Sequence, residues 1–354
     1  MELFAKGGIG AEEESYTYSG EDFSNPRILV MGCGTAGSDM VKRLEKMGAS
    51  GAEILAIDAD LRRMERIGAE REILIGREGE GTGGDPAIRR AAAGRSLEEA
   101  LGGADLVFVV AGLGEGTATG AASAICEMAK NHGEATLAIF TLPPGAETPQ
   151  KGRRRPKPGE IGGLAAAANT AILLETERVM EMAPELSIDQ AFSVIDQVVA
   201  EIVKGIVETV LETSLVNLDY AGLKDIVTRG GLASTLVGES GSEDGPEEAV
   251  RSALRSPMME GDLRRAKGCI LTITGGRDLS HQKAAAIASA LRRELAPGAE
   301  VVWGARLKEG REGKVGLLAT MIGVEVPPDI PEAGTGRDEM GGEAGRTPNA
   351  PTPI

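Results

Sequence analysis

Three glycine-rich turns hold the chemistry available to this sequence. Gly32-Cys33-Gly34-Thr35-Ala36-Gly37 fits GxGxxG, directly after an apolar run, 27–31, and at the head of a helical stretch that reaches 48. Asp58 ends the next apolar run, roughly 20 residues on, which completes the dinucleotide fingerprint. Its physical content is broader, because bare backbone N–H groups at a helix amino end hold the phosphate of any nucleotide. A second turn, Gly114-Glu115-Gly116-Thr117-Ala118-Thr119-Gly120, follows the run 104–113, and Thr117 and Thr119 add hydroxyl donors. A third, 79–86, contains Gly81-Thr82-Gly83-Gly84. Any one of these is also an ordinary tight turn. A nicotinamide enzyme has no use for the second cradle, and no histidine or lysine constellation for hydride transfer accompanies the first. Three amide nests at one edge suit a string of phosphates.

The elements that must position these turns are legible as alternating patterns. Apolar runs at 27–31, 52–58, 72–76, 104–113 and 135–143 read as strands, and 32–48, 60–68, 87–101 and 121–133 as helices. Strands apolar on both faces, alternating with helices, predict a parallel sheet covered on both sides. The carboxyl ends of such strands, where the glycine turns fall, are where ligands sit. Residues 187–213 have apolar positions at helical spacing: Ile188, Phe192, Ile195, Val198, Val199, Ile202, Ile206, Val210 and Leu211. They predict one long helix of about 40 Å. Strands at 268–276, 300–310 and 314–323 with a helix at 281–295 point to a second, smaller unit.

The expected fold is therefore α/β: a parallel-sheet nucleotide-binding domain, a long central helix and a smaller α+β carboxyl-terminal domain. The expected divisions are 1–24 as a flexible segment, 25–186, 187–214, 215–328 and a flexible tail at 329–354. A proline-rich basic excursion, 143–160, is expected to be an exposed loop. The net charge of −16 argues against nucleic acid as a partner. No apolar stretch is long enough to enter a membrane, and the amino terminus lacks a cationic start followed by an apolar run, so a cytoplasmic protein is expected. Three scattered cysteines and two histidines make a zinc site unexpected.

In combination these motifs resemble the FtsZ/tubulin family of polymerising GTPases, and FtsZ in particular. GEGTATG, 114–120, resembles the loop usually written GGGTGTG, and GEGTGGDP, 79–86, resembles the loop that senses the terminal phosphate. NLDYAGLKDI, 217–226, resembles the loop that completes the neighbouring subunit's site. ASTLVG, 233–238, and ITGGRDLS, 273–280, resemble the second domain. The similarity runs from about residue 26 to 325. It implies GTP/GDP binding with Mg2+ on the phosphates, and head-to-tail self-assembly into filaments in cell division or cell shape. Another FtsZ-like protein is a further possible partner. Hydrolysis would be completed in trans, with Asn217 and Asp219 as catalytic candidates. The nucleotide contacts implied are Gly32, Cys33, Gly34, Thr35, Gly37, Asp58, Gly81, Thr82, Gly83, Gly84, the whole loop 114–120, Pro143, Glu147, Thr176, Arg178, Phe192 and Asp196.

The departures from the family pattern are specific. The loop in trans reads NxDxxD in the family, but Gly222 stands at the second acid, the one most tied to hydrolysis. Asp225, one helical turn on, is a substitute if the helix begins early; otherwise turnover is slow or absent. Restoring the acid, Gly222→Asp, is expected to raise turnover. Glu115 and Ala118 replace glycines, setting an anion and a methyl beside the phosphates. Thr176 and Asp196 stand where the family reads guanine with asparagines. A carboxylate at 196 can accept guanine's N1–H and N2–H together; a solvated helix face is the plain alternative. Phe192 stacks on the base or packs in the core. Asp58 matches the family's NTD stretch and is expected near the ribose or the neighbouring subunit. Arg153, Arg154 and Arg155 approach the phosphates or lie on a solvated loop. The tail, 329–354, lacks the apolar adaptor-binding peptide of many FtsZ chains.

Overall fold

Hydrophobic residues alternate between two separate cores along the amino-terminal strands. Ile28, Val30 and Phe108 enter one, while Leu29, Met31, Val107 and Val109 enter the other. A computed structural model describes residues 25–49, 51–75, 94–114, 116–144, 158–256 and 262–324. In it β1 (Ile28–Cys33), β2 (Glu53–Asp58), β3 (Glu72–Leu74), β4 (Leu106–Gly112), β5 (Ala135–Leu142) and β6 (Thr170–Glu175) are parallel. Helices α1 (Gly34–Lys46), α2 (Leu61–Ile67), α3 (Gly94–Leu101), α4 (Gly116–His132) and α5 (Pro158–Ala167) lie between them in the chain, and α6 (Thr176–Met182) follows β6. The strand order β3-β2-β1-β4-β5-β6 reverses direction of growth at β1 and β4, the switch point where the first two glycine turns emerge.

The sheet does not stop there. β7 (Gly231–Gly241) pairs parallel with β6 through Thr170–Gly231 and Ile172–Ala233, then antiparallel with β10 (Lys314–Ile322). β8 (Gly268–Gly275) and β9 (Glu300–Leu307) complete one ten-stranded sheet of the described residues. Helices α9 (Pro246–Leu254) and α10 (His281–Glu294) cover the carboxyl-terminal strands with a third core built on Leu236, Leu271, Ile287 and Leu317. Helix α7 (Ile188–Leu211) opens with a capping box, Ser187 and Gln190 bonding each other's backbone N–H. Its buried arc is wider than the expected stripe. Ala191, Val203 and Val207 join Ile195, Val199, Ile202 and Ile206, because α1 and α6 pack on it as well as β8 and β9. A Cβ on Gly304 would stand 2.9 Å from Thr209 Cβ, so glycine there lets β9 reach the helix.

Two sequence expectations change. The helix expected at 121–133 starts at Gly116, so residues 117–120 form its first turn rather than a loop. Periodicity assigned nothing to 161–186, where α5, β6 and α6 lie, nor to 220–254, where α8 (Tyr220–Arg229), β7 and α9 lie. The alanine-rich α5, with the six-residue β6 and seven-residue α6 beside it, is too short to display a period. The expected flexible ends, 1–24 and 329–354, and most of 143–160 lie outside the described residues.

Candidate functional site

The first turn of α1 is wedged against the sheet by three glycines. A Cβ on Gly32 would stand 2.3 Å from Gly37 O, one on Gly37 2.4 Å from Val110 O, and one on Gly112 2.6 Å from Ala36 Cβ. Gly34 turns the chain with φ 71°, in the left-handed region that favours glycine. Cys33 precedes the helix and supplies no side-chain cap, and the first turn carries no acidic residue. The amides of that turn are thus left with the partial positive charge that favours an anion. Cys33 itself is wholly buried, and burial pushes its thiol well up, so only its backbone is available to a ligand.

Gly114, with φ 94°, leads into α4, whose first turn also lacks an acid. Ala118 is fully buried in the core, so its methyl faces away from the rim and the substitution for glycine is absorbed by packing. Thr119 is half-buried and Gly120 buried. Both nests therefore stand at the carboxyl edge of adjacent parallel strands, β1 and β4. Glu115, Gly81, Thr82, Gly83, Gly84, Glu147 and Arg153 to Arg155 lie outside the described residues, as does the Thr117 side chain.

Asp58 is 3 % exposed at the end of β2. Its Oδ1 accepts the amides of Ala59 at 2.6 Å and Asp60 at 3.1 Å, and its Oδ2 lies 3.2 Å from Arg63 Nη1. Arg63 Nη1 also donates to Thr35 Oγ1. The glycine motifs pointed to Thr35 and Asp58 but not to Arg63. The helix start at Asp60 puts residue 63 on the first turn near Asp58, while its contact with Thr35 is tertiary and leaves no local signal.

Thr176 is buried, and its hydroxyl donates to Leu142 O at 2.8 Å, tying α6 to the end of β5. Pro143, also buried, follows that strand end. Arg178 Nε pairs with Glu175 at 3.5 Å. Phe192 and Asp196 are half-buried one turn apart on α7, against which α6 and α1 pack. The expected base-reading residues therefore fall on two neighbouring helices, with the Thr176 hydroxyl engaged in the fold itself.

The loop expected to act in trans is organised by its own polar groups. Asn217 Oδ1 accepts the Ser214 amide at 3.1 Å, and its Nδ2 donates to Glu212 O at 3.2 Å. Asp219 caps α8, accepting from Ala221 N at 3.1 Å and Gly222 N at 3.0 Å. A Cβ on Gly222 would stand 2.9 Å from Val302 Cγ2 and 3.0 Å from Asp219 Oδ2. The second acid of the family pattern has thus been replaced at a position that β9 closes. A side chain restored there, as in Gly222→Asp, requires the Val302 side chain to shift. Asp225 is exposed and paired with Arg229, which also holds Glu300.

Among the described residues no helix is long and apolar enough to cross a membrane. The family profile described as "Tubulin/FtsZ family, GTPase domain" matches residues 27–184, and "FtsZ family, C-terminal domain" matches 231–325. Cell division protein FtsZ 2 of Halobacterium salinarum is 41 % identical over 313 residues, covering 86 % of this chain and 78 % of that protein. FtsZ 2 of Methanocaldococcus jannaschii is 38 % identical over 326 residues, covering 90 % and 85 %. The solved structure described as an empty FtsZ dimer of M. jannaschii superposes with TM-score 0.77 at 33 % identity, covering 85 % of this chain and 89 % of that one. Both glycine nests at the switch point fall within the stretch matched by the GTPase-domain profile, and the chain belongs to the tubulin/FtsZ family.

Proposed function

We propose that the chain is an FtsZ-like subunit that binds GTP at the rim of β1 and β4 and assembles head to tail into filaments of cell division or cell shape. The reading is supported by the uncapped α1 amides and the crowded glycines of the cradle, and by the relatives, which are cell division proteins. Asp196 and Phe192 would meet the base and Asp58 the ribose or the neighbour. Mg2+ would ride on the phosphates, shielding charge that develops during transfer. A heterologous contact of this kind does not close and so gives a fibre.

Hydrolysis would be completed by the neighbouring subunit's 217–222 loop, and slowly. The observation that carries this is Gly222, backed by Val302 and the Asp219 carboxylate. Loss of a group that positions water or takes its proton costs about 10²–10⁴ in rate. Phosphate release measured against protein concentration tests it: a low rate per subunit that rises with concentration is expected, and a rate independent of concentration would refute completion in trans. A second reading follows from the same residue. The chain binds GTP without turning it over, and caps or copolymerises with another FtsZ-like protein that supplies two acids. Under that reading the chain alone releases no phosphate above background, and adding the partner restores release.

A further inference from the structure

Arg63 stands between the first glycine turn and the end of β2, and nothing in the glycine motifs accounts for it. Its Nη1 touches Thr35 Oγ1 on one side and Asp58 Oδ2 on the other. The carboxylate that holds it is fixed, because Asp58 Oδ1 is occupied by two backbone amides. The helix that carries it is fixed as well. Asp60 accepts the Arg63 amide, Met64 is buried in the core, and Gly68 ends the helix with φ 53°. Lys42 of α1 donates to Gly68 O at 2.6 Å, so α1 and α2 are joined at both ends of the short helix.

We propose that Arg63 is a phosphate ligand of this chain's own nucleotide site, and the residue by which the site favours a triphosphate over a monophosphate. The proposal rests on the guanine-nucleotide reading above. Three facts carry it. The amides of α1 and the buried Asp58 carboxylate share one rim, and an unneutralised carboxylate there would repel a polyphosphate. Arg63 supplies the neutralising charge. Its guanidinium is a planar fork of donors suited to phosphoryl oxygens, and only Nη1 is engaged among the described residues. The side chain is one-third exposed, open to the rim rather than sealed in the core.

A purely structural role makes a different prediction, because loosening Asp58 and Thr35 would weaken every guanine nucleotide alike. The test is titration of the full chain with GTP, GDP and GMP at fixed Mg2+, for wild type, Arg63→Gln and Arg63→Lys, with each melting temperature recorded. Arg63→Gln is expected to weaken GTP by about 10–100-fold, the span for a hydrogen bond to a charged group, to weaken GDP less and to leave GMP unchanged. Arg63→Lys keeps the charge but loses the fork, and is expected between the two. Should the glutamine variant fail to fold, the lysine variant decides by the same ratio of GTP to GMP. Equal losses for GTP and GMP, or no loss for GTP, would overturn the proposal while leaving the nucleotide site in place. Absence of GTP binding by the wild type would overturn the nucleotide reading itself.

Discussion

The Asp219 carboxylate accepts the amide of Gly222 at 3.0 Å, and that same oxygen stands 3.0 Å from where a Cβ on Gly222 would be. The acid that remains in the loop is thus turned onto its own helix, and the site of the missing acid is closed by Val302.

Gly222→Asp alone is expected to destabilise by about 1–3 kcal/mol, the usual cost of forcing extra atoms into a packed position. It is expected to raise phosphate release only when combined with Val302→Ala, which removes the Cγ2 contact. Melting temperature and phosphate release of the single and double variants check this. Equal gains from the two would show that the contact with Val302 is of no consequence.

Asp219 has separable roles. Asp219→Asn keeps an acceptor for the α8 amides, whereas Asp219→Ala loses the cap at a cost of about 1 kcal/mol. Denaturant unfolding is expected to show the loss for alanine alone. Phosphate release, which depends on the charge, is expected to fall in both.

Arg306, on β9, is 6 % exposed and binds Glu201 and Glu208 of α7 together with Thr274 of β8. Lys204 continues the network from Glu208 to the carbonyl of Gly48 after α1. Arg306→Met leaves Glu208 to Lys204 and Glu201 to Lys308 at a part-exposed interface, and is expected to cost about 1–3 kcal/mol. Burial opposes the Glu201 charge, but Lys308 and Arg306 outweigh it and hold the carboxyl below its ordinary value. Its share of stability is therefore present above the unfolded value of about 4.3 and lost as pH falls through the lower folded value. Acid unfolding curves are expected to flatten in this window for Glu201→Gln. An unchanged slope would remove Glu201 from the account.

Glu134 has the opposite sign. Burial pushes its carboxyl up, with His132 and Arg27 pulling it back in part, and Oε2 is buried without a hydrogen-bond partner among the described residues. The folded chain holds this proton longer than the unfolded chain. The stability it contributes is present below about pH 4 and lost as pH rises through the higher folded value. Glu134→Gln is expected to be neutral or stabilising at pH 7 by thermal melting, and marked destabilisation there would contradict the sign.

All three cysteines are buried, and burial pushes each thiol up, Cys269 to about 12. A thiol reagent is expected to label none of them in the folded chain at pH 7.5 and all three in denaturant. Rapid native labelling of Cys33 that nucleotide suppresses would show its side chain, and not only its backbone, to be open to the site.

Sequence periodicity by itself determined the parallel sheet, the long helix and the two nests after β1 and β4, because strands buried on both faces and glycines at helix starts leave patterns within a dozen residues. Gly222 was also visible as a departure from the family pattern. Only the tertiary structure decided what those residues face. Ala118 packs into a core, Gly222 is closed by a valine 80 residues away, and Thr176 spends its hydroxyl on Leu142. Arg63 joins Asp58 to Thr35 only because β2 and α1 are brought side by side. Local pattern encodes which face of an element is apolar. The partner across a packed interface depends on contacts between distant parts of the chain, which no local spacing records.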